Sequence, residues 1–335
     1  MIKKNDFISF IYFYFCIFLY YFSIYRNELK QVLIKVIKID EDLNYRLDKY
    51  LKIKYSYLTQ SFIEKNIRKK NILINNKKTQ SNYIIKKNDK LKILNFHQDL
   101  YKNKIIFKKN IQIPSNILKV FKKSIIFENQ DFIILNKWSS ISTQGGSKII
   151  LSIDDIIKKL SPDYKLVHRL DKETAGLLII SKSLNSARTF GNLFKSKLVD
   201  KTYLALCEGK PRLKESIVKL NIKTKDNKID KTETYYKVLK NNKNTSLILF
   251  KPKTGKTHQL RIVSKNLGCP IIGDKKYNQQ TRYKNENLKL NAYNLKFNLS
   301  KNEYEFESIL PDDFNLFIKK NKLGNQLNLK KLNFK

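Results

Sequence analysis

Asp171 stands two residues after Arg169 in the stretch VHRLDKETAGLLIISKS, residues 167–183, which then runs straight into the apolar Leu177-Leu178-Ile179-Ile180. In extended chain, residues two apart share a face, so the guanidinium and the carboxylate would project together. A carboxylate beside a guanidinium and close to apolar groups is ionised yet partly desolvated, which makes it a good nucleophile or base. The same residues also fit a structural Arg–Asp pair that closes a turn before a core strand. A second reactive stretch is KPKTGKTHQLRIV, residues 251–263, in which Thr257, His258 and Arg261 could line one pocket. If HQLRIV is a helix, His258 and Arg261 share a face; if it is a strand, they point opposite ways.

Gly255-Lys256-Thr257 matches the end of a phosphate-binding loop, but the position of that motif's first glycine is Phe250, and HQLRI follows where a nucleotide-binding helix should open. A nucleotide triphosphatase is therefore set aside. Cys16, Cys207 and Cys269 fit neither a disulfide framework nor a zinc knuckle, and His97, His168 and His258 are scattered, so no metal is expected and a reducing compartment is the simpler reading.

The elements that must position these groups are legible in outline. The chain has 335 residues, 41% of them hydrophobic, enough for one large core and a small appended domain. Its formal net charge of +39 would draw a polyanion by counterion release, and a nucleic acid is the default partner. That charge is discounted because 60 of the cations are Lys and only 8 are Arg, a bias typical of AT-rich coding. An Arg retained against that background is more telling, since only a guanidinium gives a permanent planar fork.

Residues 7–25 form an uncharged run of 19, long enough to span a bilayer, so residues 1–30 are taken as a leader, an anchor or an upstream stretch. Residues 45–95 read as helix, helix and hairpin: Leu47, Leu51 and Ile53 on a first helix, Thr59 capping a second that carries Phe62, Ile63 and Ile67, then strands at NILIN and DKLKIL. Residues 96–123 look like a linker, 124–318 like a larger domain, and 319–335 like a basic tail. In the larger domain strands outnumber helices and adjacent ones look hairpin-linked, which predicts an α+β fold with a mostly antiparallel sheet.

Five stretches carry a resemblance, in order: IIFENQDFIILNKWSSISTQGG, HRLDKETAGLLIISKS, KTYLALCEGKP, KTGKTHQLRIVSKNLGCPIIGDKKY and LKLNAYNLKF. Together they resemble the RluA-type pseudouridine synthases over residues 124–300, and within them the RluC group, which acts on large-subunit ribosomal RNA. Residues 45–95 resemble the S-four-type αL RNA-binding module that often accompanies that family, with Asn71 and Asn76 where the module has glycines. The resemblance implies the pseudouridine synthase fold with a central RNA cleft, Asp171 as the catalytic residue, Arg169 filling the space of a flipped base, Tyr203 stacking on that base, and Arg261 pairing with the aspartate. It implies RNA contacts by Arg46, Lys65, Arg68, Lys69 and Lys70, for which a solvated basic face is the bland alternative. It implies no cofactor, an RNA partner, a monomer, and a cytoplasmic location, or an organelle if residues 1–30 are a leader, with membrane contact only if that stretch is retained. The alternatives are a tRNA pseudouridine synthase and a non-catalytic RNA-binding ribosome-assembly factor. One departure is Asn291, where relatives often have His.

Overall fold

The computed structural model describes residues 33–97, 99–101, 112–146, 149–223 and 227–324. The chain divides into two compact units, residues 1–110 and 111–335. The first unit comprises β1 (Ile34–Lys38), α1 (Leu47–Lys54), α2 (Gln60–Arg68), β2 (Ile72–Ile74), β3 (Lys77–Lys78) and β4 (Lys90–Leu94), with its strands in the order β1-β4-β2-β3. Thr59 caps α2 by accepting from the Phe62 N–H at 3.2 Å. Ile63 and Ile67, one turn apart, join Leu47, Leu51, Ile72, Leu91 and Ile93 in a core of this unit's own residues. Ile53 lies outside that core, 57% exposed.

Three expectations from the sequence need correction here. The small domain starts before residue 45, because β1 pairs antiparallel with β4 from Ile34↔Leu94 to Lys38↔Lys90. Its Ile34 and Val36 are exposed, so no buried alternation announces the strand. The segment 96–123 is more than a linker: Tyr101 is buried and stacks on Phe96 at 4.6 Å in the first core, and α3 (Ser115–Lys123) buries Phe121 in the second unit. After α2 the left-handed residue is Lys70, φ 60°, rather than Asn71, whose amide instead donates to the Asn66 side chain at 2.9 Å; Asn76, φ 61°, is left-handed as the turn demands.

The second unit continues with β5 (Ile125–Glu128), β6 (Phe132–Lys137), α4 (Ile153–Leu160), β7 (Lys165–Leu166), β8 (Ala175–Ser181), α5 (Leu184–Lys195), β9 (Val199–Glu208), β10 (Glu215–Lys223), β11 (Ile229–Asn241), β12 (Thr245–Pro252), α6 (Gln259–Asn266), β13 (Leu290–Leu299), β14 (Asn302–Glu307) and α7 (Asp312–Lys320). Its strands build a ten-stranded sheet with the main path β10-β11-β12-β9-β13-β8-β6-β5. The pairings are antiparallel except β8 with β13, which run parallel through Ala175↔Asn291 and Gly176↔Ala292. Gly176 has φ +112°, and a Cβ there would lie 2.3 Å from the Ala292 carbonyl oxygen, so only glycine permits this approach.

Helices cover the sheet through spaced apolar residues. Ser152 and Asp155 form a capping box at the start of α4, which buries Ile153, Ile156 and Ile157 with Leu135, Leu178 and Ile180. Helix α6 packs Leu260 and Val263 on Ala205, Ile248 and Phe250. Helix α7 packs Phe314, Phe317 and Ile318 on Leu204, Leu206 and Leu249 from the opposite face, and Leu323 beyond it is buried too, so ordered packing runs into the stretch expected as a tail. Among the described residues no helix is long and apolar enough to cross a membrane; the run 7–25 and residues 325–335 lie outside them.

Candidate active site

The turn between β7 and β8 presents Asp171, and it is held almost entirely through its backbone. Thr143 clasps Leu170 from both sides, its hydroxyl donating to the Leu170 carbonyl at 2.7 Å and accepting from the Leu170 N–H at 3.1 Å. The ammonium of Lys137, at the end of β6, is fully buried and donates to the carbonyls of Trp138, Ile141 and Lys172 at 3.0, 3.1 and 3.2 Å. The Thr174 N–H closes the turn onto the Asp171 carbonyl at 3.1 Å. With residues 170, 172 and 174 tied down, the carboxylate between them is aimed without being clamped.

Two basic side chains face that carboxylate from α6. HQLRIV is helical, and His258 Nε2 and Arg261 Nη1 lie 3.8 and 3.7 Å from Asp171 Oδ2. Both distances exceed a hydrogen bond, so the Asp171 oxygen keeps its lone pairs for a substrate. Arg261 is oriented elsewhere: its guanidinium binds Asp274 bidentately at 2.7 Å twice and lies 5.2 Å from the Tyr277 ring centroid. Burial opposes ionisation of Asp274, but the Arg261 fork and the N–H groups of Tyr277 and Lys276 outweigh it and hold its carboxyl below the usual range. His258 is N-cap of α6 in the left-handed region, φ 55°, and its Nδ1 sits 3.0 Å from the Tyr277 hydroxyl. Burial lowers the His258 pKa, with the charge of Asp171 pulling the other way.

Tyr203 reaches the same place from β9, where it pairs with Phe250 and Ala292 and packs between the α4 and α6 cores. Burial and the nearby Asp171 charge raise its pKa strongly, so the group presented is a neutral phenol. Arg169 is exposed beside it. Its neighbour His168 turns inward, where Nε2 accepts from the Ile179 N–H at 2.9 Å and the ring lies 4.8 Å from Phe194. Burial, then the charge of Lys201, pushes His168 down to about 3, fixing a neutral ring that ties the segment before the turn to β8.

Arg169, Asp171, Tyr203 and Arg261, separate in sequence, thus line one cavity of ≈ 130 Å³ together with Thr174, His258 and the 254–257 turn. Thr174 is buried, and its hydroxyl has no hydrogen-bond partner in the protein. The arrangement offers one carboxylate, an aromatic face and fixed positive charge: equipment for attack on, or proton exchange with, a planar polar ring.

Sequence reasoning passed over Lys137, Thr143 and Asp274, although each lies inside a quoted stretch. The five residues expected to meet phosphates in the first unit are exposed, but Arg46 already pairs with Asp48 at 2.8 Å. Asn291 is fully buried; its Oδ1 accepts from the Ser308 hydroxyl at 2.6 Å, while its Nδ2 has no partner.

Comparison with known proteins agrees with this chemistry. The family model described as RNA pseudouridylate synthase matches residues 131–266. A ribosomal large subunit pseudouridine synthase C of Rickettsia typhi is 41% identical over 261 residues, 72% of this chain and 85% of that protein. Its counterpart in Rickettsia bellii is 39% identical over 304 residues, 84% of this chain and 99% of that one. The solved structure of human RNA pseudouridylate synthase domain containing 4 superposes with a TM-score of 0.55 at 25% identity, covering 63% of this chain and 97% of that chain. The sheet with its cleft is the pseudouridine synthase fold, and the chain belongs to the RNA pseudouridylate synthase family, enzymes that isomerise uridine in RNA to pseudouridine.

Proposed function

We propose that this enzyme isomerises specific uridines of large-subunit ribosomal RNA, with Asp171 as its catalytic residue. The observation that carries the reading is the unclamped Asp171 carboxylate, 3.7 Å from the Arg261 guanidinium, at a cavity it shares with Tyr203. Isomerisation breaks the bond between uracil N1 and ribose C1′, forms one from C5 to C1′, and moves a proton from C5 to N1. Such a reaction needs a flipped base held away from the helix. Asp171 attacks the uridine, Tyr203 stacks on the base as a neutral phenol, Arg261 sets a positive charge 3.7 Å from the carboxylate, and exposed Arg169 fills the space the base leaves. Large-subunit RNA is favoured by the Rickettsia relatives, ribosomal large subunit pseudouridine synthases that the chain matches over most of their length. The first unit serves as an αL-type RNA-binding module through Lys65, Arg68, Lys69 and Lys70. Cys207 and Cys269 are buried free thiols, which supports a reducing compartment.

The test is expression of residues 30–335 with and without Asp171→Asn, followed by carbodiimide-dependent primer-extension mapping of pseudouridine in ribosomal and transfer RNA. The unaltered enzyme should produce stops in large-subunit RNA, and the variant should be slower by about a thousandfold or more, the scale on which loss of a nucleophile is felt. Equal modification by both proteins would overturn the role of Asp171, and stops confined to transfer RNA would overturn the substrate.

A further inference from the structure

A second hollow, of ≈ 290 Å³, opens on the sheet face away from Tyr203. Thr202 and Lys251 line it, while their chain neighbours Tyr203 and Phe250 point the other way into the α6 core. Five lysines surround it: Lys197, Lys201, Lys251, Lys253 and Lys296. The carboxylates there are fewer and two are engaged, Glu233 with Lys253 at 2.9 Å and Lys219 at 3.8 Å, and Glu305 with Lys296 at 3.7 Å. Burial lowers the pKa of both Lys201 and Lys251, with Asp200 as the opposing charge. Desolvated ammonium groups in excess over their counter-ions gain when an external anion joins them.

The hollow adjoins two others. Pro252 lines both it and the cavity of Asp171. A third hollow, of ≈ 430 Å³, shares Lys197 and Glu233 with it and Thr254 with the Asp171 cavity, and adds Lys219 and Lys231. A lysine-lined trough therefore leads from the candidate active site around the end of β12 to the other face of the sheet. Seven lysines spread over two adjoining hollows suit an extended polyanion better than a single small anion. Lysines act as point charges, which fits contacts that place a backbone without reading its bases.

We infer that this trough binds the phosphodiester backbone of the RNA strand flanking the target uridine, carrying it from the active cavity around the end of β12. The inference rests on the proposed function for the identity of the RNA, and its test reads binding separately from turnover. The triple variant Lys197→Gln, Lys251→Gln, Lys253→Gln is compared with a triple of equal charge change at Lys122, Lys159 and Lys319, exposed lysines of the second unit outside the trough. Binding to a uridine-containing single-stranded fragment of large-subunit rRNA is measured against salt concentration by fluorescence anisotropy. Each phosphate contact contributes about 0.7 to the slope of log affinity on log salt for single strands, so the trough triple should flatten that slope by about 2. Its turnover at saturating RNA should equal that of the unaltered enzyme, with the loss confined to KM. The control triple should keep the parental slope. An unchanged slope in the trough triple, or equal flattening in both triples, would overturn the inference; absence of pseudouridine from RNA treated with the unaltered enzyme would overturn the proposed function and leave the binding result readable.

Discussion

Lys137 sends its three N–H bonds to three carbonyls and so ties β6 to the turn that presents Asp171. Burial brings its pKa from 10.5 down to about 7, with the charge of Asp171 opposing. In the unfolded chain a lysine keeps its proton to about 10.4. Between about 7 and that value the unfolded state holds more protons than the folded one, so this group makes stability rise with pH across the window, and lowers it below. Urea melts of the unaltered protein and of Lys137→Met from pH 6.5 to 9.5 should show the unaltered protein gaining on the variant by up to about 1.4 kcal/mol per pH unit above pH 7. A gap that stays constant with pH would remove Lys137 as the titrating group. At this scale four residues that line the cavity were readable from sequence, since Asp171, Arg169, Tyr203 and Arg261 sit in ordered motifs. Lys137, Thr143 and Asp274 were not, because they act on backbone carbonyls and on another side chain, partners that only tertiary contact supplies. Arg46 shows the converse: its charge was legible, its engagement by Asp48 was not.

Two glycines give opposite expectations at the level of the strand and the helix. Gly176 lets β8 lie against β13, and a Cβ there would overlap Ala292 backbone at 2.3 Å as well as sit at φ +112°. Gly176→Ala should therefore cost about 2–5 kcal/mol, combining left-handed strain with overpacking. Gly191, inside α5, has open space around its missing Cβ, and Gly191→Ala should stabilise by about 0.5–1 kcal/mol through helix propensity. Equilibrium urea unfolding of both variants checks the pair; a neutral Gly176→Ala would mean that the close approach of β8 to β13 is dispensable. Elements with a clear period were legible: α2 from Thr59 and its isoleucines, and the apolar runs of β6 and β8. Strand β1 was missed because Ile34 and Val36 face solvent and only Ile37 packs on the core, and α3 because Lys-rich text around one buried Phe121 offers little period. The sequence also left HQLRIV open between helix and strand, and the helix is what lets His258 and Arg261 face Asp171 together.

Among the described residues, the buried core of the first unit is built from residues 39–101, with Ile37 packed against it, while the second unit builds its cores from residue 113 onward. The antiparallel character of the large sheet was legible from turn-separated strands, but its closure was not. That closure is the parallel pairing of β8 with β13, which joins Ala175 to Asn291 and so spans a long stretch of intervening chain. Local hairpins such as β5–β6 and β10–β11 close short loops, whereas this pairing must offset a large loop-closure entropy before it gains contacts. The hypothesis for folding is that β13 docks last, and that the cavity, which needs Asp171 next to β8 and Leu290 at the start of β13, forms with it. In refolding from urea, pulse-labelled amides of β10 and β11 should gain protection before those of β13, and pseudouridine formation should return with β13. Activity recovered before β13 is protected would contradict that order. The enzyme's own catalysis then serves as a clock for the slowest step of its folding.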